Sequence, residues 1–114
     1  MLNIYSVILT FVADVAELTP RIAHHDPDLA RQLRRASSSV ALNCAEGMHA
    51  RGRSRTAAYN VALREMRESY AAIEVSVRLR YLPPLRAEVE DRVQRISQRS
   101  TGSHFLARWR ARAR

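Results

Sequence analysis

Lysine is absent from this chain of 114 residues, cysteine occurs once, glycine three times and proline four times. With Cys44 alone, neither an intrachain disulfide nor a cysteine-based zinc site can form, and cysteine usage points to no oxidising compartment. So few glycines and prolines disfavour a fold of many tight hairpins and favour helices joined by short turns. There is no Gly-rich phosphate loop and no nucleophile elbow. The four histidines do not build a metal site: His24 and His25 are adjacent, point apart and form a turn with Asp26, His49 stands alone in a loop, His104 is in the tail, and no pair has i,i+4 spacing. No catalytic, cofactor-binding or metal-binding residue is assigned, no cofactor is expected, and the chain is expected not to be an enzyme. The first 18 residues are apolar, but no basic stretch precedes them and Asp14 and Glu17 interrupt them, so they read as a core helix rather than a signal peptide or membrane span. A cytoplasmic protein with no membrane partner is expected.

What the chain does have is apolar content of 46%, enough for one core, and a formal charge of +8 in which all 19 basic residues are arginine. A solvated face of arginine can simply follow from genome composition, yet the excess also favours attraction to phosphate or to acidic partners.

Periodicity predicts four helices. From residue 2 to about 24, Ile4, Ile8, Phe11, Val15, Leu18 and Ile22 make one apolar seam, and Leu2, Tyr5, Leu9, Val12 and Ala16 make a second. Asn3, Ser6, Thr10, Asp14, Glu17 and Arg21 fill a narrow polar stripe. Two seams exceed what one bundle core covers, which implies a homo-oligomer. Pro20 is expected to kink or end this helix near Thr19. Asp26 then caps a second helix with Pro27 in its first position, and Leu29, Leu33, Ala36, Val40 and Cys44 form its seam. Gly47 is expected to end that helix in a left-handed conformation, followed by an arginine-rich loop over residues 48–53.

Ser54 is expected to cap a third helix reaching about Leu82, with Tyr59, Leu63, Met66, Tyr70, Ile73 and Val77 in strict four-three alternation. Pro83 and Pro84 stop it. A fourth helix from Pro84 to about Gln98 carries Leu85, Val89, Val93 and Ile96. Glu74 with Arg78, Glu88 with Arg92, and Asp91 with Arg95 are expected as i,i+4 surface pairs. The reading is an all-α domain over residues 1–99, an antiparallel up-down-up-down four-helix bundle, and an Arg-rich tail over residues 100–114.

The stretch ASSSVALNCAEG over residues 36–47 carries more information. Gln32, Leu33, Arg34, Arg35, Ala36, Ser37 and Ser39, then Asn43, Ala45, Glu46 and Gly47, resemble the basic segment, small-residue run and N-x-A-E-G ending of the bacterial four-helix proteins encoded in intervening sequences of 23S ribosomal RNA genes. Ala62, Leu63, Glu68, Arg78, Leu79, Tyr81 and Leu82 match a second family segment. The resemblance covers roughly residues 4–96. The chain departs from the family at Ala41, where many members have proline, and at Arg64 and Glu65, where they have a glycine-serine pair. The family's relatives include the accessory variability proteins of diversity-generating retroelements. The resemblance implies a four-helix protomer in a ring-shaped homopentamer with a basic surface. In the retroelement branch it implies association with a reverse transcriptase and structured RNA.

Within that signature, Asn43 is read as a buried amide needing backbone partners, Glu46 as an acid free to pair with an arginine, and Gly47 as the helix end, all structural. The functional candidates are basic: Arg31, Arg34, Arg35, Arg51, Arg53 and Arg55, with Arg108, Trp109, Arg110 and Arg112 in the tail. Arginine makes bidentate phosphate contacts and an indole offers a stacking platform. The expected function is a non-enzymatic homo-oligomeric scaffold that binds nucleic acid, RNA in preference to DNA. The alternative is a protein-interaction module that docks an acidic partner.

Overall fold

The computed structural model describes residues 3–97, which form four helices and no strand: α1 Ile4–His25, α2 Pro27–His49, α3 Gly52–Arg78 and α4 Ala87–Ser97. One apolar cluster joins them, centred on Phe11, Ile22, Leu33, Val40, Met66, Ile73, Val93 and Ile96. The expected tail, residues 100–114, lies outside the described residues.

Helix α1 starts behind Asn3, whose Oδ1 accepts the Ser6 N–H at 2.9 Å. It does not end near Thr19 but runs through Pro20 to His25. Proline has no N–H to give the carbonyl of residue i−4, here Ala16. The Thr19 hydroxyl donates to that carbonyl instead, at a long 3.5 Å, while buried Thr19 and Ile22 hold the following turn in the core. The first apolar seam is interior. In the second, Tyr5 and Val12 pack against the core, whereas Leu9 and Ala16 are exposed.

Asp14 departs from its reading as a polar-stripe residue. It is 6% exposed, and Arg92 of α4 grips it through Nε–Oδ2 at 2.6 Å and Nη2–Oδ1 at 2.8 Å. A bidentate pair of this kind is directional as well as charged, so it pins α4 onto α1. Arg92 is therefore engaged between helices rather than in the expected pair with Glu88. Asp91 and Arg95 do approach, to 3.8 Å, while no ion pair joins Glu74 to Arg78 among the described residues.

Asp26 caps α2, with Oδ1 accepting the Leu29 N–H at 3.0 Å and Pro27 next in line. Gly47 does not terminate α2. The helix continues to His49, and Gly47 is buried within it because the Tyr59 ring of α3 lies where a side chain would stand. A Cβ at that position would overlap Cδ1 and Cε1 of Tyr59, so the glycine serves close helix approach rather than a left-handed turn.

The connection to α3 is correspondingly short. Ala50 and Arg51 alone are non-helical, and Gly52, with φ of +58°, opens α3. Arg51, not Ser54, occupies the cap position, and its side chain makes no capping bond. At the other end α3 stops at Arg78, before the expected Leu82, in a Schellman ending. Tyr81 N–H donates to Ser76 O at 2.8 Å and Arg80 N–H to Val77 O at 3.0 Å. Arg80 holds the left-handed position with φ of +63°, where glycine is usual. The chain then crosses Pro83 and Pro84 without helix, and α4 begins at Ala87, later than Pro84.

Replacing helical glycine by alanine ordinarily stabilises by about 1 kcal/mol, whereas forcing a methyl into a filled core costs about 1–3 kcal/mol. With Tyr59 fully enclosed, the second effect prevails. Gly47→Ala is expected to lower stability by about 1–2 kcal/mol in urea unfolding, the reverse of the propensity effect.

Candidate nucleic-acid interface

The six arginines expected to act together divide by what they touch. Arg31 pairs with Asp28 at 2.7 Å on the exposed first turn of α2. Arg35 crosses to α3, where Nη2 donates to Glu68 Oε1 at 2.9 Å and Nη1 lies 3.8 Å from Glu65 Oε2. Gln32 Nε2 reaches the same Glu68 oxygen at 3.2 Å. These contacts make Arg35 a clamp between helices.

Arg55 has a structural task as well. Its Nε donates to Gly47 O at 3.1 Å and to Ala50 O at 2.9 Å, satisfying carbonyls at the end of α2 that no helical N–H can reach. That leaves Arg34, Arg51 and Arg53 exposed and outside any ion pair among the described residues. Arg34 sits 100° around α2 from Arg35, so the two adjacent arginines serve different faces.

Two arginines outside the expected set belong with Arg51 and Arg53. Arg53, Asn60, Arg64 and Arg67 are all exposed, and their spacings of seven, four and three put them on one face of α3. From Arg53 to Arg67 that face spans about 21 Å at 1.5 Å per residue. Among the described residues, none of Arg51, Arg53, Arg64 and Arg67 is in an ion pair. The sequence signal for Arg64 and Arg67 was the inverse of the Tyr59, Leu63, Met66 seam: residues beside an apolar alternation must face outward.

The N-terminal end of α3 reinforces this charge. Its first turn has no acidic residue and no side-chain cap, so its free N–H groups and the positive end of the helix dipole are not neutralised. A shallow depression lined by Gly52, Arg53, Arg55, Thr56, Ala57 and Asn60 lies there. The described tyrosines and Phe11 are all buried or half-buried, so this surface offers charge and hydrogen bonds, with the exposed His49 at the end of α2 as the nearest ring in the sequence. Arg108, Trp109, Arg110 and Arg112 lie outside the described residues.

The remaining candidates are structural. Asn43 is half-buried, and its Nδ2 donates to Ser39 O at 2.9 Å and Ser39 Oγ at 3.0 Å, one turn back on its own helix. Glu46 is exposed and makes no ion pair among the described residues. Burial pushes the Cys44 thiol up to about 12, which suppresses the thiolate needed for nucleophilic chemistry at neutral pH. His25 stacks on Tyr81 with centroids 4.8 Å apart, with His24 edge-on to it. No group of three metal-ligating side chains occurs among the described residues, and none of their helices is long and apolar enough to cross a membrane.

A family model described as 23S rRNA-intervening sequence protein matches residues 1–102 of the chain. No curated protein and no solved structure matched it.

The division between structural and free arginines predicts unlike consequences for neighbours. Arg55→Ala is expected to cost about 1–2 kcal/mol of stability through the lost charge-assisted bonds to α2. Arg53→Ala is expected to stay within about 0.5 kcal/mol, as surface changes do. Paired thermal and urea melts check both.

Proposed function

Because the chain belongs to the family of 23S rRNA-intervening sequence proteins, we propose that it is a non-enzymatic, homo-oligomeric scaffold that binds RNA through the arginine face of α3. The observation that carries this reading is the set of exposed, unpaired arginines Arg51, Arg53, Arg64 and Arg67 beside an uncapped helix N-terminus. Guanidinium groups spread along about 21 Å of helix suit successive phosphates of a nucleic-acid backbone. Without an exposed tyrosine or phenylalanine among the described residues, that face binds phosphate and shape, and its contacts carry little sequence preference. The family description, 23S rRNA-intervening sequence protein, is compatible with RNA as the polyanion.

In this reading the protomer is an antiparallel up-down-up-down bundle, a topology supported by the single-residue link at Asp26 and the two-residue link at Ala50 and Arg51. Copies assemble into a ring through apolar surface that the protomer leaves open. Leu9 is 47% exposed and Leu42 is 70% exposed, with Ala13 and Ala16 alongside Leu9 on α1. Repetition of the arginine face around the ring turns weak phosphate contacts into avidity. A reverse transcriptase is the protein partner in the retroelement version of this role. The competing reading, a module that docks an acidic protein and binds no nucleic acid, draws on Val75 and Leu79, which are also exposed.

Fluorescence anisotropy with a labelled RNA hairpin, titrated over a range of salt, tests the binding role. The protein is expected to bind at low salt with a steep salt dependence. Combining Arg51→Ala, Arg53→Ala, Arg64→Ala and Arg67→Ala is expected to reduce the log–log slope by about 3, from four phosphate contacts at 0.7–0.9 each. Absence of low-salt binding, or a variant as tight as the parent, rejects the role. Light scattering tests assembly separately: a mass several times the 13.0 kDa protomer is expected at micromolar concentration, and a clean monomer rejects the ring.

A further inference from the structure

Beside the arginine face lies a pair of acids that the proposed function does not use. Glu65 is 8% exposed, and its Oε2 is enclosed with no hydrogen-bond partner among the described residues. The cation nearest to it in an ion pair, Arg35 Nη1, stands at 3.8 Å, close enough for attraction but too far for a hydrogen bond. Glu68 lies one turn along α3, and the same Arg35 guanidinium reaches both acids, with Nη2 2.9 Å from Glu68 Oε1 and Nη1 3.8 Å from Glu65 Oε2. The donors converge on Glu68: Arg35 Nη2 at 2.9 Å and Gln32 Nε2 at 3.2 Å.

Two carboxylates are both acceptors and repel each other. A buried oxygen left without a donor costs the full loss of its hydration. A single proton resolves both problems, turning the orphaned acceptor into a donor aimed at its neighbour. We propose that Glu65 carries this proton and donates it in a hydrogen bond to the Glu68 carboxylate, making the α2–α3 seam a pH-sensitive joint that loosens when the proton leaves.

The groups facing the pair divide consistently. From α2 come Arg35 and Gln32, and from α3 come Arg64 and the partner acid. Burial, then the hydrogen bond and the charge of Glu68, push the Glu65 carboxyl above the usual range, against the opposing pull of Arg35 and Arg64. The Gln32 hydrogen bond leads in holding Glu68 below that range, helped by Glu65, Arg35 and Arg64 and opposed by burial. Glu65, raised in the folded protein, stabilises fully below the ordinary carboxyl range, and that contribution is lost as pH rises through its folded value. Glu68, depressed, stabilises above the ordinary range and loses its contribution as pH falls through its folded value. The joint is tightest between the two, whatever the arginine face binds.

Thermal unfolding of the full chain from about pH 4, within the ordinary carboxyl range, to about pH 8, well above it, tests this against Glu65→Gln, whose amide donates to Glu68 at every pH. The Tm of the variant minus that of the wild type is expected to be smallest at acid pH and to grow as pH rises, with the histidine contributions cancelling in the difference. A difference that stays flat or falls with pH overturns the proposal. Carboxyl carbon NMR of the wild type supplies a readout that needs no variant. Glu65 should titrate above the usual carboxyl range, and Glu68→Gln should bring it down again. A Glu65 that titrates at or below the usual range overturns the shared proton.

Discussion

The absence of a side chain at Gly47 governs how the longest two helices meet. It lets the Tyr59 ring lie directly against the α2 backbone, which brings α3 close at the end where the two helices join. A helix pair that close needs only Ala50 and Arg51 to connect it. The shortness of that link in turn brings Arg55 back to the last carbonyls of α2, and directs Arg51 and Arg53 outward beside a helix end without a cap. A packing constraint in the core thus sets the electrostatics of the surface above it.

The fourth helix has a different dependence. It offers Val89, Val93 and Ile96 to the core over 11 residues, too few for a strong isolated helix. Its bidentate bond from Arg92 to Asp14 adds direction to that modest burial. A buried ion pair is weak evidence for net stability, because desolvating both charges offsets their attraction, but it specifies one placement of α4 on α1 rather than several. Arg86, bridging Glu17 and Glu88 at 3.6 and 3.7 Å on the surface, adds little in water.

Arginine, the only long basic side chain here, fills unlike roles within a few residues of sequence. Arg35 clamps two acids, Arg55 caps a helix, Arg92 fastens a buried carboxylate, and Arg53, Arg64 and Arg67 remain in solvent. A planar guanidinium with five donors can serve any of these tasks, so its identity says little about which one it performs. Among the described residues the basic surface is consequently smaller than their arginine count suggests and lies more on α3 than on α2.

Much of the helical framework was legible in the amino-acid order, because periodicity and capping are local. The four-three seam of α3 lies largely buried, and Asp26 with Pro27 opens α2 where a cap and a first-turn proline should. Where local rules compete with packing, the tertiary structure decided. Pro20 and Gly47 are punctuation marks in sequence, yet each sits inside a helix, the first because Thr19 supplies a replacement donor and the second because Tyr59 needs the space. Asp14 looked like one more polar-stripe residue until a residue 78 positions later bonded to it. Likewise, the donors of Arg35 and Arg55 were claimed by groups on neighbouring turns and helices that no spacing rule pairs with them. Sequence alone determined which segments become helices, since that depends on neighbours a few residues away; only the tertiary structure decided which charges remain free, since that depends on what other helices bring within reach.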